Sequence, residues 1–469
     1  MKNCLPLRTP LTESALFWTL LRNWQCLFVR YAYELPCRRR NRVFLCMEKR
    51  LRKDAYPLFY SLLRKGEYIM KKFVAMLLAC VMVLSLAACG GSSAPAETKA
   101  PAAAEAAPAS EGAAPAIKIG LSGPMTGGAS EYGLAVRGGM EIAVAEINAK
   151  GGLQIEFKSE DDQADGSDLA VSAYNSLKDW GMQILAGAVT TGSSLAIAAE
   201  TVNDGIFMLT PSASNVDVAM TGSNVYQMCF TDPNQGASAA ELMAQKWPDA
   251  TIGVIYDSYD AYSSGIVDGF LTKAAELGLN VAVDDAAFTA DNKADLSTQV
   301  NLCKDAGCDL VFLPFYYTEA AQVLTYANTV GYKPTFFGCD GMDGILNVEG
   351  FDTALAEGLV LMTPFDANAT DEATVKFVEQ FKANNGGKVP NQFAADGYDV
   401  IYALYNACVA AGVDGSTPAA DVCAALQEQF KTLTVDGLTG KGMTWDANGM
   451  ISKAPAAMVV TNGAYAPLA

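Results

Sequence analysis

Residues 117 to 338 alternate short apolar segments with amphipathic ones, and this alternation restricts the possible folds more than any other feature. The apolar segments IKIGLSG (117–123), MQILAG (182–187) and IFMLTP (206–211) have the length of buried strands. Between them lie segments with apolar residues at helical spacing, such as EYGLAVRGGMEIAVAEINAKGG (131–152). Buried strands that alternate with helices are typical of parallel sheets covered on both faces. We therefore predict an α/β fold.

The alternation occurs twice along the chain. A second series begins with ATIGVIYD (250–257) and continues through CDLVFLPF (308–315) to TFFGCD (335–340). The region 117–469 has about 350 residues, which is more than one hydrophobic core usually organises. We predict two doubly wound parallel-sheet lobes. In such sheets, ligands bind at the carboxyl ends of the strands.

A segment near residue 80 has the features of an export signal. Sixteen uncharged residues follow Lys71 and Lys72 and end at the motif LAAC, whose cysteine is Cys89. A basic start, a short apolar core and small residues before a cleavage point are typical of a signal peptide. The motif resembles the bacterial lipobox, in which the cysteine becomes the lipidated first residue. We predict a lipoprotein signal peptide at 70–88; a membrane anchor is the alternative, but a helix needs about 20 residues to cross a bilayer.

The segments on either side of this signal have unusual compositions. Residues 1–69 hold 14 Lys+Arg, 5 Asp+Glu and four of the 12 cysteines, without any periodic pattern. We predict that translation begins at Met70 and that 1–69 is a mis-annotated upstream segment. Residues 89–116 are mostly Ala, Pro, Glu, Ser and Gly, a composition that cannot bury enough apolar surface to fold. We predict that this segment is a disordered tether.

Charge and residue usage exclude several function classes. After residue 88 the chain holds 17 Lys+Arg against 46 Asp+Glu, a net charge near −29, which argues against nucleic acid as a partner. Histidine is absent, so the commonest general base and metal ligand is missing. The six cysteines after Cys89 match no zinc pattern, and no Gly-x-Ser-x-Gly or phosphate-binding loop occurs. The acid pair in DGMDG (340–344) is typical of a turn. We predict a protein that is not an enzyme and has no metal or cofactor.

Two hydroxyl-rich turns follow neighbouring predicted strands. They are AVTTGSS (188–194) and PSASN (211–215). Free backbone N–H groups at the start of a helix, with hydroxyls beside them, form an anion site without any basic residue. Helix capping alone is the alternative for each turn. Their occurrence at two adjacent strand ends favours a ligand carboxylate.

From Ile117 onwards the chain resembles the substrate-binding lipoproteins of branched-chain amino acid ABC transporters. These form the leucine/isoleucine/valine-binding protein family, which has the type I periplasmic-binding fold. The resemblance covers the whole predicted folded body. It is carried by the opening segment 117–152 and by the motifs FMLTPSAS, VIYDSYDAYSSG, DLVFLPFYYTEAAQVL, FFGCDGMDG and ADGYDVIYAL.

The resemblance implies an amino-acid site in a cleft between the lobes. One group of residues, on lobe one, matches positions that hold the ligand carboxylate: Thr191, Ser212, Ala213 and Ser214. Asp340 matches the acidic residue that holds the ammonium, although relatives often have Glu there. The tyrosines that line the cleft in the family correspond to Tyr132, Tyr262 and Tyr317. Phe315 and Phe393 differ from the family pattern and leave the side-chain preference open.

The resemblance also implies the domain boundaries and partners. Lobe one is 117–234 plus 364–437, and lobe two is 235–363 plus 438–469, joined by a three-segment hinge. The expected protein is a monomer, attached to the outside of the bacterial cell membrane by its lipid, that captures a branched-chain or other neutral amino acid and delivers it to ABC permease subunits. A ligand-sensing receptor of the same fold, or one that binds short amides or other small carboxylates, stays open as an alternative.

Overall fold

The computed structural model describes residues 115–164 and 166–468. The predictions for 1–69 and 70–88, Cys89 and almost all of the predicted tether 89–116 lie outside these residues. The first sheet contains five strands: β1 Ile117–Gly123, β2 Ile155–Asp161, β3 Ile184–Leu185, β4 Phe207–Thr210 and β5 Val225–Gln227. The second contains seven: β6 Thr251–Asp257, β7 Asn280–Phe288, β8 Leu310–Leu313, β9 Thr335–Gly338, β10 Val360–Thr363, β11 Ala456–Thr461 and β12 Ala464–Pro467.

Eleven α-helices lie among the described residues. Those of the first half are α1 Ser130–Lys150, α2 Asp168–Asp179, α3 Thr191–Asp204, α4 Val216–Met220 and α5 Asp232–Lys246. Those of the second half are α6 Ala261–Leu277, α7 Ser297–Asp305, α8 Tyr317–Thr329, α9 Glu372–Asn384, α10 Gln392–Ala411 and α11 Ala419–Phe430. Short 3-10 turns follow β9 at Asp340–Met342, Ile345–Asn347 and Thr353–Ala356. In the described part of the chain, no helix is long and apolar enough to cross a membrane.

The two sheets have the same winding. The first has strand order β2-β1-β3-β4-β5 and is parallel throughout. The second repeats this order as β7-β6-β8-β9-β10, and β11 and β12 add to its edge in antiparallel pairing. The strand order reverses direction between β1 and β3, and again between β6 and β8, so each sheet has a switch point where a crevice opens. The predicted α/β class with two parallel-sheet lobes is confirmed.

Close helix pairs depend on glycine. A Cβ atom at Gly139 of α1 would lie 1.8 Å from the Ala394 carbonyl oxygen of α10, and one at Gly236 of α5 would lie 2.1 Å from the Ile266 carbonyl oxygen of α6. Neither position has room for a side chain. Glycine therefore lets α10 lie directly on α1, and α6 directly on α5.

The last crossing between the lobes comes later than the predicted boundary at 438. The Trp445 indole donates to the Gln227 carbonyl of β5 at 2.8 Å, and the Gln227 N–H donates to the Gly449 carbonyl at 2.9 Å. This segment covers the edge of the first sheet, so the chain leaves that lobe only after Ile451 and joins the second sheet at Ala456.

The six cysteines in the described residues are free and buried, and so pack as small apolar side chains. They are Cys229, Cys303, Cys308, Cys339, Cys408 and Cys423.

Candidate functional site

A small cavity lies between the carboxyl ends of the two sheets. Its first wall comes from the lobe of β1–β5, and its second from the lobe of β6–β10. The lining residues on the first wall are Tyr132, Val189, Thr190, Thr191, Ser212 and Phe393. Those on the second wall are Tyr262, Tyr316, Asp340 and Gly341.

The first wall carries hydroxyl groups and a helix N-terminus. Thr191 begins α3, and Thr190 is its N-cap residue, yet the Thr190 side chain makes no capping hydrogen bond. The hydroxyls of Thr190 and Thr191 are both buried without a hydrogen-bond partner. Capping therefore does not explain these two threonines. The first N–H groups of a helix also lack intrahelical partners, so this turn offers several donors to an anion.

The second hydroxyl turn, 211–215, is placed differently. Ser212 lines the cavity, and its hydroxyl donates to the Val189 carbonyl at 2.6 Å. Ala213 and Ser214 are fully buried and do not line the cavity. Ser214 lies beside the buried carboxyl of Asp232, at the start of α5. The structure thus brings Ser212 to the cleft, and places Ser214 one layer behind it.

Asp340 is the acidic group of the second wall. It follows β9 and is only 4% exposed. Its Oδ1 accepts from the Tyr262 hydroxyl at 2.6 Å, from the Gln235 side-chain amide at 2.9 Å and from the Gly341 N–H at 2.9 Å. All three bonds end on one oxygen. Oδ2 takes part in none of them, and is available to a cationic group in the cavity.

Burial controls the ionisation of this wall. It raises the pKa of Asp340, whereas the hydrogen bonds from Tyr262, Gln235 and Gly341 oppose that rise. Burial also raises the pKa of the Tyr262 phenol well above its usual value, with the Asp340 charge acting in the same direction. Tyr262 is therefore a firm donor that holds the Asp340 carboxylate in place.

Aromatic rings close the cavity. The Tyr132 ring centroid lies 4.3 Å from that of Phe393 and 5.5 Å from that of Tyr316. Tyr316, which the sequence analysis did not select, lines the cavity and stacks on Tyr262 at 5.2 Å. Its neighbour Tyr317, which was selected, packs behind Tyr132 at 4.8 Å. The YYTE motif signalled both rings but not which of them faces the cleft.

Direct hydrogen bonds hold the lobes together across the cleft. The Tyr132 hydroxyl donates to the Gly341 carbonyl, and the Tyr317 hydroxyl accepts from the Glu131 N–H at 3.1 Å. At the base, the Gln392 N–H donates to Asp343 Oδ2 at 2.9 Å, and its side-chain amide donates to the Asp340 carbonyl at 3.0 Å. The lobes are therefore in contact on both sides of the cavity.

The arrangement suits binding better than catalysis. One wall offers neutral donors, the other a buried carboxylate, and no nucleophile with an adjacent base lies among the lining residues. Within the described residues, no group of His, Cys, Asp or Glu is arranged to hold a metal ion. A molecule that carries a negative and a positive group close together matches both walls at once.

Comparison with known proteins supports the interpretation that this site binds a molecule rather than catalyses a reaction. The Leu/Ile/Val-binding protein of Escherichia coli (strain K12) is 28% identical over 342 residues, which cover 71% of this chain and 87% of that protein. The crystal structure of a leucine-binding protein from Thermotoga maritima matches with a TM-score of 0.66 and 28% identity, over 75% of this chain and 98% of that one.

Another solved structure shares the fold at lower identity. It is the solute-binding protein of an ABC transporter from R. palustris, in complex with benzoate. It matches with a TM-score of 0.66 and 20% identity, over 75% of this chain and 95% of that one. The fold thus occurs in proteins with different ligands.

The periplasmic binding protein family model matches residues 116–464. Its members are solute-binding proteins that work outside the cytoplasm, and the prediction that the chain is not an enzyme is confirmed. With most of its length matched, the chain belongs to the periplasmic binding protein family.

Proposed function

We propose that the protein captures a free amino acid in the cavity between its lobes and delivers it to an ABC permease. The carboxylate of the ligand accepts hydrogen bonds at Thr191, Ser212 and the start of α3, and its ammonium group binds Asp340 Oδ2. The amino-acid-binding relatives and the predicted roles of these residues support the proposal.

The observation that best supports this proposal is that the two carboxylate oxygens of Asp340 differ in their hydrogen bonding. Three donors fix Oδ1, and none of these bonds within the described residues involves Oδ2. A buried carboxylate is costly unless a charge and further hydrogen bonds compensate it. An ammonium group provides both. Charge-assisted hydrogen bonds are also stronger than neutral ones.

This wall disfavours small carboxylates that have no amine. Such a ligand would bring its negative charge into the same cavity as Asp340 without compensating it. The aromatic rings of Tyr132, Tyr316 and Phe393 nevertheless accept a flat apolar group. Benzoate therefore belongs in the ligand screen as the competing class, and we expect it to bind more weakly than any amino acid that binds.

Calorimetry of the purified protein with the twenty amino acids and benzoate tests the proposal. An amino acid at 100 times its dissociation constant stabilises the protein by about 2.7 kcal/mol. The variant Asp340→Asn keeps the shape of the side chain but removes its charge, and we expect affinity to fall about 100-fold or more. The exposed Asp284→Asn on β7 is the matched control and leaves affinity unchanged.

Two results would contradict the proposal. If no amino acid binds, amino-acid capture is wrong. If Asp340→Asn binds as tightly as the parent protein, the ammonium does not bind Asp340. Pull-down of permease subunits by the loaded protein distinguishes transport from ligand sensing, because a sensing receptor would retain a regulator instead.

The proposal includes attachment to the membrane through lipid on Cys89, and a monomeric state. The predicted lipobox supports the first, but it lies outside the described residues. Mass spectrometry of the N-terminal peptide of the mature protein tests it, and Cys89→Ser is expected to release the protein from the membrane fraction. Size-exclusion chromatography with light scattering tests the monomer.

A further inference from the structure

A second, larger cavity adjoins the first at the mouth of the cleft. It is open to solvent, and it shares Thr190 and Tyr316 with the amino-acid cavity. Gly192 lies on its lobe-one side, and the loops after β6, β7 and β8 form its lobe-two side. A ligand side chain that passes between Thr190 and Tyr316 enters this second cavity.

Carboxylates outnumber cations on the wall of the second cavity. Asp257, Asp260 and Glu319 face a single lysine, Lys293, whose Nζ lies 3.4 Å from Glu319 Oε1. The Lys293 side chain is half exposed, and that of Glu319 is mostly buried. After this pairing, two carboxylates remain without a cation on the wall.

Asp260 is held in place by the structure around it. Its Oδ1 accepts from the Tyr262 N–H at 3.1 Å, as the N-cap of α6, and its carboxyl also interacts with the Tyr316 hydroxyl. Burial raises the pKa of Asp260 to about 6. The carboxyl is therefore fixed between the two cavities, close to the ring of Tyr316 that both share.

Aromatic rings form the rest of this wall. Phe288 and Phe315 pack edge to face, with centroids 5.1 Å apart, and Tyr316 stacks on Tyr262. Tyr259 is 84% exposed and stands at the rim. Aromatic faces attract organic cations, the more so when the cation is partly desolvated. Rings and carboxylates together are a common combination for recognising ammonium or guanidinium groups.

Thr190 provides an independent indication of a ligand between the cavities. It is 6% exposed, lines both cavities, and its hydroxyl has no partner and does not cap α3. Buried polar groups are nearly always hydrogen-bonded. The position of this hydroxyl fits a polar ligand that extends past it.

We propose that the physiological ligand is an amino acid whose long side chain ends in a cation, with its α-amino-acid group in the first cavity and its cation in the second. This inference rests on the proposed function, because it assumes that Asp340 and Thr191 hold the α-ammonium and α-carboxylate. A branched apolar side chain fills only the first cavity and leaves the carboxylates of the second uncompensated.

Calorimetry with L-lysine, L-arginine, L-norleucine and L-leucine tests the inference. Norleucine has the carbon chain of lysine without its terminal amine, so the ratio of their affinities reports the cation alone. We expect lysine or arginine to bind at least about tenfold more tightly than norleucine. The preference should decrease as salt is added, because the second cavity is open to solvent.

Two variants that neutralise side chains of opposite charge sharpen the test. Glu319→Gln is expected to lower the ratio of lysine to norleucine affinity, and Lys293→Gln to raise it, because Lys293 competes with the ligand cation. Glu349→Gln, an exposed acid elsewhere on the same lobe, leaves the ratio unchanged. If norleucine or leucine binds as tightly as lysine and arginine, the inference is wrong while the proposed function stands. If none of the twenty amino acids binds, both are wrong.

Discussion

The two walls of the cleft use different chemistry, although the two sheets behind them are wound alike. The first wall presents hydroxyls and backbone N–H groups, and none of its lining residues is acidic or basic. The second wall contains the buried carboxyl of Asp340, held by Gln235 and Tyr262. Both sets of residues stand at equivalent places, just past the carboxyl ends of strands near a switch point.

The comparison shows that the common sheet topology places residues at equivalent positions in the cleft, whereas the side chains at those positions determine the charge of each wall. A zwitterion has its two charges on groups attached to one carbon, so a single type of wall cannot match both. Under the proposed function, a zwitterionic ligand interacts fully only when both walls meet, and it therefore favours the closed form through its difference in affinity for the two forms. Apart from the change in pH, each prediction below changes a residue of one lobe and leaves the other lobe intact.

The largest expected effect is that of pH, because buried carboxyls of both lobes, Asp396 of the first lobe among them, have raised pKa values. Burial raises the pKa of Asp343 to about 7 and that of Asp260 to about 6. Below pH 7 the native protein therefore binds more protons than the unfolded chain, and the free energy of unfolding falls as pH rises. We expect the ligand-free protein to be more stable at pH 5 than at pH 8 by about 2–4 kcal/mol.

Ligand affinity should respond to pH in the opposite direction. Burial raises the pKa of Asp340, and a protonated Asp340 offers no charge to an ammonium group. Amino-acid affinity should then decrease as the pH falls. Urea unfolding and calorimetry across this range check both trends, with Asp343→Asn expected to reduce the stability trend. A stability that rises from pH 5 to pH 8 would contradict the assignment of these buried acids.

The second prediction concerns the residue that holds Asp340. Gln235 donates to Asp340 Oδ1 at 2.9 Å and accepts from the Asp340 N–H at 2.6 Å. Gln235→Leu leaves the Asp340 N–H unpaired and removes one of the three donors to Oδ1, and we expect a loss of about 2–3 kcal/mol in the free energy of unfolding. Amino-acid affinity should fall as well, because the carboxylate loses its position.

Gln299→Leu is the matched control for this variant. Gln299 is also buried, but its amide donates to the Ala287 carbonyl, away from the second wall. We expect it to lose stability without losing amino-acid affinity. Equal effects of the two variants on affinity would argue against a special role for Gln235.

The third prediction separates two buried threonines of the first lobe. Thr191 has an unpartnered hydroxyl at the cavity, whereas the Thr210 hydroxyl donates to the Ala188 carbonyl at 2.6 Å and accepts from the Ala213 N–H at 3.0 Å. Thr191→Val should weaken amino-acid binding about tenfold, because a hydrogen bond to a charged group is worth about 1.5–3 kcal/mol. Its ligand-free stability should not fall.

Thr210→Val is expected to show the reverse pattern. It leaves the buried Ala213 N–H unpaired and removes one of the two hydroxyls that donate to the Ala188 carbonyl, so the free energy of unfolding should fall by about 1–2 kcal/mol with a smaller change in affinity. Calorimetry and urea unfolding of both variants check the pair. A loss of stability in Thr191→Val would show that its hydroxyl has a structural partner, contrary to its assignment to the ligand.

Local sequence patterns were sufficient to predict the fold, because strand and helix periodicities are properties of neighbouring residues. The apolar run 117–123 became β1, and the amphipathic segment 131–152 became α1 at Ser130–Lys150. The last crossing was not predictable in this way. It depends on the Trp445 indole reaching the Gln227 carbonyl across the edge of the first sheet, a contact between residues far apart in the chain.

The candidate site followed from the sequence to a similar degree. Five residues selected from sequence line the cavity: Tyr132, Thr191, Ser212, Tyr262 and Asp340. Ser214 lies behind them because the crossing segment brings Asp232 to it, and Asp232 is remote in sequence from the hydroxyl turn. The assignment of the five lining residues to ligand binding remains a prediction.

The two adjacent tyrosines after β8 illustrate how precisely the sequence can place a side chain. Tyr316 is the N-cap residue of α8 and Tyr317 its first residue, so their side chains point in different directions. Which ring faces the cleft depends on where α8 begins, and a single residue of shift exchanges them. Helix boundaries are set within one or two residues by tertiary contacts, and these are not readable from the motif YYTE.

The smallest expected effect follows from this pair and tests the contact between the walls. The Tyr317 hydroxyl accepts from the Glu131 N–H of the opposite lobe, near the N-terminus of α1. Tyr317→Phe removes one neutral hydrogen bond of the closed form, worth about 0.5–1.5 kcal/mol. Because only closure is weakened, affinity should fall about threefold to tenfold through faster dissociation, with the ligand preference unchanged.

Tyr316→Phe changes a ring that lines both cavities, so it should alter the preference between lysine and norleucine. Stopped-flow dissociation rates and calorimetry of the two variants distinguish these outcomes, and a changed ligand preference in Tyr317→Phe would place Tyr317, rather than Tyr316, against the ligand.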